Sequence, residues 1–230
     1  MKYILITGAS RGIGYETALK LAGKGNHVIA VARSHNLLMN LTGQTGNGNI
    51  VPVTANLTAS EGIAEIMACV NTIPQLDVLI NNAGTLINKS FMETTLDEWK
   101  YVMDINLFSV IRLIKSLRPK MMRGSHIVNI SSMGGFQGSE KFPGLSAYST
   151  SKGALAILTE SLSSEFGEED ISVNCLCLGA VQTEMLNMAF PGYKAPVQPE
   201  QMADFIADFS LSGNLFFNGK ILPVSLNNPQ

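Results

Sequence analysis

The stretch YILITGASRGIG, residues 3–14, decides the fold. A short apolar run leads into three glycines spaced G-x-x-x-G-x-G, which differs from the G-x-G-x-x-G fingerprint of dinucleotide-binding turns. Gly8 permits a tight turn, Gly12 lets a phosphate approach the backbone, and Gly14 lets a helix pack close to the strand. Three glycines alone also fit a plain structural turn. Their position between a first strand and its crossover helix favours a site for a dinucleotide's pyrophosphate.

The rest of the chain alternates short β-branched runs with helical stretches. Most runs are continuously apolar, as expected for strands covered on both faces. They predict strands at residues 3–7, 28–32, 50–54, 77–80, 126–130, 171–176 and 221–224. This alternation predicts an α/β protein with a single-domain Rossmann fold, a doubly wound parallel sheet of about seven strands with ligands beyond their carboxyl ends. A length of 230 residues favours one dinucleotide-binding and catalytic domain, 1–230.

Apolar spacing and start signals predict four helices. They span residues 13–22, 60–71, 95–118 and 147–166. The second and third begin after capping boxes, Thr58-x-x-Glu61 and Thr95-x-x-Glu98, and Pro119 closes the third.

The composition excludes several classes of protein. With 46% hydrophobic and 15% charged residues, the chain can fill a large core without a disulfide or a metal, and we predict no metal site. A net charge of −2 without a basic run argues against nucleic-acid and membrane partners. No apolar run reaches the ~18 residues of a membrane span. Cys69, Cys175 and Cys177 are expected to be buried thiols, and the cytoplasm is the expected compartment.

Two arginines indicate which dinucleotide the chain binds. After the second predicted strand the chain reads VARS, residues 31–34, about twenty residues beyond the glycines, where an NAD-preferring enzyme places an acidic residue. Arg33 there and Arg11 in the glycine turn can both form charge-assisted hydrogen bonds to a 2′-phosphate. Two solvated arginines are the alternative. The pair predicts NADP(H) as the cofactor.

A second polar group, YSTSK at residues 148–152, lies after the fifth predicted strand. A spacing of four on a helix places the Tyr148 hydroxyl and the Lys152 ammonium on one face, so we expect the cation to lower the pKa of the phenol. Such a tyrosine can act as acid and base. A Tyr-x-x-x-Lys pair alone also fits a surface helix. Ser132 at a strand end, and the glycine turn at another, favour a catalytic site.

Taken together, these motifs resemble the short-chain dehydrogenase/reductase family from Thr7 to about Val224. The matching pieces, in the family's order, are TGASRGIG at 7–14, NNAG at 81–84, Asn106 in DINL, Ser132, Tyr148 with Lys152, and G-x-V-x-T at 179–183. An Asn-Asn turn at 81–82 and a helix-interior Asn106 are the structural alternatives for single motifs.

The resemblance implies a role for each matching residue. Tyr148 would be the catalytic acid in reduction, and Ser132 would hold the substrate oxygen. Lys152 would bind the nicotinamide ribose and bias Tyr148, while Asn106 would hold a water that links Lys152 to a proton relay. The implied catalytic residues are Asn106, Ser132, Tyr148 and Lys152. The implied cofactor-binding residues are Gly8, Ser10, Arg11, Gly12, Ile13, Gly14, Arg33, Asn56, Leu57, Asn82, Ala83, Gly84, Tyr148, Lys152, Gly179, Val181 and Thr183.

Within that set, Asn82 and Gly84 would line the adenosine side of the cofactor, and Val181 with Thr183 would receive its carboxamide. Asn56 stands where the family usually has Asp against the adenine amine, and its side-chain carbonyl can accept that bond more weakly. Leu178 replaces the usual proline before Gly179, which predicts a less rigid loop.

Two further departures concern the substrate side and the assembly. The interval between Ser132 and Tyr148 is a few residues longer than usual. The ending SLNNPQ, residues 225–230, replaces the usual glycine-rich one, which puts the family's tetramer contacts in doubt more than its dimer. We therefore expect a homodimer or a homotetramer.

Residues 184–198 form an irregular, apolar segment. It carries Met185, Met188, Phe190, Pro191, Tyr193 and Pro196. We interpret the segment as a substrate lid, mobile without ligand, that favours an apolar carbonyl compound. A loop whose apolar residues simply join the core is the alternative.

The sequence therefore predicts an NADP(H)-dependent oxidoreductase that moves a hydride between nicotinamide and a carbonyl or secondary alcohol carbon of a small molecule. Two alternatives stay open. One is a reductase of 3-oxoacyl chains on acyl carrier protein, for which Lys141 and Lys194 are the nearby cations. The other is a non-catalytic NADP-binding regulatory or scaffold protein, which the presence of Tyr148, Lys152 and Ser132 disfavours.

Overall fold

The computed structural model describes residues 1–44 and 49–226. Its strands are β1 (Tyr3–Thr7), β2 (His27–Ala32), β3 (Asn49–Thr54), β4 (Val78–Asn81), β5 (His126–Ser132), β6 (Ser172–Leu178) and β7 (Ile221–Val224). They form one parallel sheet in the order β3-β2-β1-β4-β5-β6-β7. The predicted α/β fold with a doubly wound parallel sheet is confirmed.

Eight α-helices connect the strands in the described ranges. They are α1 (Gly12–Gly23), α2 (His35–Thr42), α3 (Ser60–Val70), α4 (Leu96–Met103), α5 (Ser109–Leu117), α6 (Ser146–Glu165), α7 (Glu184–Ala189) and α8 (Pro199–Ser212). The sequence analysis did not predict α2 and α8. It also treated 184–198 as irregular, whereas α7 occupies its first six residues.

The predicted helix at 95–118 is interrupted by one wide turn. A π-helical turn, Asp104–Phe108, joins α4 to α5, and the backbone N–H of Ser109 donates to the carbonyl of Asp104. The hydroxyl of Ser109 also donates to the carbonyl of Ile105 at 2.6 Å. Turns of this kind widen the helix locally and often occur at functional sites.

One predicted capping box is present and the other is not. Thr95 caps α4, because its hydroxyl accepts from the N–H of Glu98 and the Glu98 carboxylate accepts from the N–H of Thr95. The box at Thr58 is wrong: α3 begins after Ala59, and the Thr58 hydroxyl donates to the side-chain oxygen of Asn56 instead.

Two apolar layers cover the faces of the sheet. One layer packs α1 and α8 against β1, β2 and β4, and the other packs α3 and α5 against the opposite face of the same strands. Cys175 and Cys177 are fully buried as expected, whereas Cys69 is half-buried, and all three are free thiols. Within the described ranges, no helix combines the length and the apolar character needed to cross a bilayer.

Candidate active site

The candidate site lies where the carboxyl ends of the central strands meet. The chain runs from β1 outward to β3, then returns to β4 beside β1 and continues outward to β7. A crevice opens at such a reversal, and ligands of doubly wound sheets bind there. The strands that border it end at Thr7, Asn81, Ser132 and Leu178.

The glycine turn leaves the amino end of α1 open. Gly8 and Gly12 have φ angles of +70° and +57°, in the left-handed region that favours glycine. A Cβ at Gly14 would lie 2.4 Å from the carbonyl oxygen of Gly8, so a side chain there would separate helix and strand. Arg11 precedes α1 without capping it by its side chain. The first N–H groups of α1 are therefore placed to bind a phosphate, and the turn fits a pyrophosphate.

Asn82 holds the glycine turn in shape. Its side-chain amide donates to the carbonyls of Thr7 at 2.9 Å and Gly8 at 3.3 Å. The Thr7 hydroxyl in turn accepts from the backbone N–H groups of Asn82 and Ala83, at 3.1 and 3.0 Å. The sequence analysis expected Asn82 to line the adenosine side, and in the structure its amide fastens β4 to the turn. Thr7 was not singled out, although it is a polar residue ending an apolar strand.

Gly84 lies on the catalytic side of the crevice. A Cβ at Gly84 would be 3.4 Å from both the Asn106 side-chain oxygen and the Lys152 ammonium. This position differs from the adenosine side that the sequence analysis gave to Gly84. The side chains of Asn106 and Lys152 thus converge on one small space, and a larger residue at 84 would fill it.

The side chains of Tyr148 and Ser132 approach the same point of the backbone: a Cβ at Gly134 would lie 3.9 Å from a Tyr148 ring carbon and 3.5 Å from the Ser132 hydroxyl. Ser132 ends β5, and its hydroxyl accepts from the N–H of Gly134 at 3.1 Å. Burial raises the pKa of Tyr148 above its ordinary value, and the nearby Ser132 hydroxyl offsets this in part. The expectation that Lys152 lowers the pKa of Tyr148 is wrong for this structure, because the ammonium is directed to a backbone carbonyl instead.

Lys152 is buried, with 4% of its surface exposed. Its ammonium donates to the carbonyl of Ile130 at 2.8 Å, and the Ser131 hydroxyl donates to the Lys152 carbonyl at 2.9 Å. Burial lowers the pKa of Lys152 to about 8, and the neighbouring thiols of Cys175 and Cys177 offset part of that shift. A lysine with this pKa can gain or lose a proton near neutral pH.

Asn106 sits in the π-helical turn and is 1% exposed. Its amide donates to the Thr85 carbonyl and the Ser151 hydroxyl, both at 2.9 Å, and its oxygen accepts from the Thr85 N–H at 2.8 Å. The Ser151 hydroxyl then donates to the carbonyl of Tyr148 at 2.7 Å. Ser151 therefore connects Asn106 to the helix that carries Tyr148. Ser151 lies within the YSTSK motif, but the sequence did not indicate a role for it.

A cavity of about 630 Å³ opens between the glycine turn and α2. Its lining residues are Ser10, Arg11, Gly12, Tyr15, Leu37, Met39, Asn40, Gly43 and Gln44. Arg11 thus faces it, whereas Arg33 is exposed just beyond β2 and is not among the described lining residues. Ile13, on the other side of the turn, packs against the core.

The side chain of Asn56, which follows β3, is hydrogen-bonded within its own loop. The side-chain oxygen of Asn56 accepts from both the N–H and the hydroxyl of Thr58, at 3.2 and 2.9 Å. Both lone pairs of that oxygen are used, so it does not stand free for an adenine amine as the sequence analysis expected. Leu57 is half-buried and packs against the core.

The segment after β6 crosses toward the glycine turn. Gly179 packs against Ser225, whose hydroxyl would lie 2.4 Å from a Cβ at 179. Leu178, in place of the usual proline, continues β6 and pairs with Ser132 and Val224. Leu178 therefore continues the sheet ladder as far as Ser132 on one side and Val224 on the other.

Val181 and Thr183 lie at the far wall of the crevice. Val181 is buried and forms a bridge with Val197. The Thr183 hydroxyl accepts from the N–H of Leu186 and so caps α7. A Cβ at Gly12 would lie 3.6 Å from the Thr183 methyl group, so the two segments meet across the crevice.

Residues 184–198 are anchored to the rest of the chain at both ends of α7. Glu184 pairs with Arg11, and the carbonyl of Ala189 accepts from the amide of Asn88 at 2.7 Å. Phe190 packs edge-on against Phe142, which belongs to the long interval before Tyr148, with ring centroids 5.4 Å apart. The apolar residues of the segment differ in exposure: Met185 and Phe190 are half-buried, whereas Met188 and Tyr193 are exposed.

Comparisons with known proteins agree with this geometry. A model of the short chain dehydrogenase family matches residues 2–194. The chain is 26% identical over 208 residues to an uncharacterised oxidoreductase of Staphylococcus aureus, and the match covers 89% of each protein. It is also 33% identical over 215 residues to a fatty acyl-CoA reductase of Acinetobacter baylyi, and that match covers 89% of this chain and 71% of the relative. A Caenorhabditis elegans short-chain dehydrogenase/reductase of unknown function, solved with cofactor, superposes with a TM-score of 0.87 at 25% identity, over 97% of this chain and 93% of that one.

Proposed function

Because this chain belongs to the short-chain dehydrogenase/reductase family, we propose that it is an NADP(H)-dependent enzyme that moves a hydride between nicotinamide and a carbonyl or secondary alcohol carbon. Family membership makes it an oxidoreductase that uses a nicotinamide cofactor. One observation carries the proposed chemistry: the neighbouring side chains of Tyr148 and Ser132 lie near buried Lys152, at the same sheet edge as the open end of α1.

The residues present fit the cofactor along the crevice. The N–H groups at the start of α1 would bind its pyrophosphate, and Val181 with Thr183 would receive its carboxamide across from Gly12. Lys152 would bind the nicotinamide ribose. When bound, the nicotinamide supplies or accepts the hydride. The protein's own contribution is to orient the substrate and to move a proton.

Tyr148 would act as the acid in reduction. Its raised pKa keeps the phenol protonated, which suits a donor to the oxygen that becomes an alkoxide. The Ser132 hydroxyl would hold that oxygen next to Tyr148. Lys152, with a pKa of about 8, would return a proton toward Tyr148, and the space beside Gly84 and Asn106 would hold the water that supplies it.

The test of the chemistry is Tyr148→Phe, which removes the hydroxyl and keeps the ring. We expect turnover to fall about 10² to 10⁴-fold, because general acid catalysis is lost, while NADPH binding stays within twofold. The assay is NADPH oxidation across ketones, aldehydes, quinones and β-ketoacyl thioesters, with NADPH binding followed by fluorescence. Tyr3→Phe, at the amino end of β1 and away from the site, is the control. Near wild-type turnover by Tyr148→Phe would show that Tyr148 is not the acid.

The preference for NADPH is supported by Arg11 at the cavity beside the glycine turn and by Arg33 at the end of β2. A charge-assisted bond of roughly 1.5 kcal/mol, the low end suited to exposed side chains, predicts a preference of about 10-fold over NADH. Replacing Ala32→Asp together with Arg33→Ala should invert it, because a carboxylate repels the phosphate and accepts from the ribose hydroxyls.

The measurement is kcat/KM with both cofactors for wild type and the double variant. Arg123→Ala, at an exposed arginine near the opposite edge of the sheet, is the matched control and should change neither value. A wild type that uses NADH as well as NADPH would contradict the proposed cofactor.

An acyl carrier protein is a less suitable partner. Lys141, one of the two nearby cations, donates to the carbonyls of Phe136 and Ser139 and to the Ser139 hydroxyl, at 2.8, 2.9 and 2.6 Å. An ammonium held by its own loop has fewer donors left for an acidic protein. We therefore keep a small, apolar carbonyl compound as the proposed substrate, and 184–198 as the lid that covers it.

We also propose that the chain forms a homo-oligomer. Large apolar side chains are exposed before and along α4, in the π-helical turn and on α6. They are Phe91, Met92, Leu96, Tyr101, Phe108 and Ile157. Exposed apolar surface of this kind favours association with a second copy. The free thiols support a reducing compartment such as the cytoplasm, and we treat 1–230 as one functional domain.

A further inference from the structure

Arg11 is already bound to a carboxylate. One of its terminal guanidinium nitrogens lies 2.6 Å from a Glu184 carboxylate oxygen, and the two side chains are 60% and 68% exposed. The pair joins the glycine turn to the first residue of α7, across 173 positions of sequence. The approach of Thr183 to Gly12 places these two segments on opposite sides of the same crevice.

Arg11 also faces the cavity between the glycine turn and α2. Among the described residues that line this cavity, Arg11 is the single one with a charged side chain. An anionic group that enters the cavity therefore meets one cation, and that cation is already paired with Glu184. Carboxylate and phosphate oxygens bind the same guanidinium donors, so the two anions compete.

We propose that Glu184 limits the preference for NADP(H) by competing with its 2′-phosphate for Arg11. The inference rests on the proposed use of NADP(H) and names a residue that limits it. A dinucleotide without the 2′-phosphate does not need Arg11, so Glu184 leaves its affinity unchanged. The affinity of the phosphorylated cofactor is reduced by the strength of the Arg11–Glu184 pair, which for an exposed ion pair corresponds to roughly a two- to fivefold change in Kd.

The experiment uses two fragments that report on the adenosine end alone. Calorimetry measures the Kd of adenosine 2′,5′-bisphosphate and of adenosine 5′-monophosphate for the full chain. We expect Glu184→Gln to tighten the bisphosphate about two- to fivefold and to leave the monophosphate within experimental error. In an Arg11→Ala background the same change should have no effect, since the side chain for which the anions compete is gone.

Asp208→Asn is the matched control. Asp208 forms an ion pair of similar exposure with Lys24 at 2.8 Å, at the far end of α1, and its loss removes the same charge from the protein. An equal gain in bisphosphate affinity from Asp208→Asn would overturn the inference, because the effect would then follow net charge alone.

The remaining outcomes separate the inference from the proposed function. If wild type prefers the bisphosphate but Glu184→Gln leaves or weakens that affinity, Glu184 does not compete and the inference fails while NADP(H) use stands. If wild type binds both fragments equally, the proposed use of NADP(H) fails, and the inference fails with it. The same order of affinities measured with NADPH and NADH would support both.

Discussion

At Lys152 the role that we propose in catalysis opposes the stability of the folded protein. The ammonium is almost fully buried, faces a backbone carbonyl, and has a pKa lowered from 10.5 to about 8. A lowered lysine pKa means that the folded state disfavours the charged form relative to the unfolded state. Below pH 8 both states carry the proton and the full cost of burying the charge is present. Between pH 8 and 10.5 the folded state releases the proton and the cost disappears.

We therefore expect Lys152→Met to stabilise the protein and to inactivate it. At pH 7 the free energy of unfolding should rise by about 1 to 3 kcal/mol, because a pKa lowered from 10.5 to about 8 corresponds to about 3 kcal/mol at most. At pH 10 the gain should be much smaller. Urea unfolding at both pH values measures the gain in unfolding free energy. Lys115→Met, at an exposed lysine on α5, is the control. A variant less stable than wild type at pH 7 would contradict the prediction.

The residues of the site differ in how far the sequence predicted them. Ser132 was predicted from its place at a strand end, and Tyr148 with Lys152 from their spacing on a helix. Asn106 was assigned to the site only through the family resemblance. Ser151 could not be given a role, because its two hydrogen bonds join segments 45 and three residues away, and only the folded chain shows both. The pairing of Arg11 with Glu184 depends on side-chain conformations that no periodicity records.

At the scale of elements, the two capping sequences should behave differently. Thr95 accepts from the N–H of Glu98 at the start of α4, whereas Thr58 lies outside α3 and bonds to Asn56. We expect Thr95→Ala to lower the free energy of unfolding by about 1 kcal/mol, and Thr58→Ala by less than about 0.5 kcal/mol. Urea unfolding of the two variants side by side provides the measurement. Equal losses of unfolding free energy would show that the capping box of α4 does not stabilise the protein more than the Thr58 contact does.

The elements that were not predicted from the sequence differ in how clear their sequence signals are. α2 is eight residues long and has no acidic residue in its first turn, so its start carries little signal. α8 did have a start signal, Pro199 in its first turn with Gln198 and Gln201 forming a capping box. The π-helical turn at Asp104–Phe108 keeps the apolar spacing of an ordinary helix, and only its hydrogen bonds distinguish it.

At the scale of the whole molecule, His126 joins three elements and should govern acid stability. It is fully buried in β5, its ring nitrogens contact the Ser210 carbonyl of α8 and the Asn174 amide of β6, and burial lowers its pKa to about 4. The unfolded chain takes up the proton near pH 6.5, but the folded protein does so only near pH 4. Neutral His126 therefore makes its full contribution to the free energy of unfolding above pH 6.5. This contribution, about 3 kcal/mol in all, is lost as the pH falls toward 4.

The check is the slope of unfolding free energy between pH 6.5 and 4 for wild type and His126→Gln. The variant should show a shallower slope, because no proton is taken up at position 126 on unfolding. His35→Gln, at an exposed histidine, should keep the wild-type slope. Equal slopes for wild type and His126→Gln would mean that other groups determine the acid sensitivity.

The sheet was the most predictable part of the molecule. Strands buried on both faces need continuous apolar runs, and these runs stand out in the sequence. Three strands extend beyond the prediction at their carboxyl ends, β4 to Asn81, β5 to Ser132 and β6 to Leu178, because asparagine, serine and cysteine continue the ladder without being strongly apolar. β2 and β3 each begin one residue earlier than predicted. Ligands of a parallel, doubly wound sheet bind beyond the carboxyl ends of its strands, so this side of the sheet could be predicted as the site. The strand order and the contacts of the crevice walls could not be predicted.

The fastening of the glycine turn by Asn82 also affects how the protein is made. Thr7 and Gly8 leave the ribosome early, but the amide that binds their carbonyls follows about seventy-five positions later, after β2 and β3. Until β4 has emerged and paired with β1, the nascent chain lacks the Asn82 hydrogen bonds that hold the glycine turn in shape. We therefore expect a dinucleotide to bind only after β4 has paired with β1, and not to assist the folding of the first three strands during synthesis.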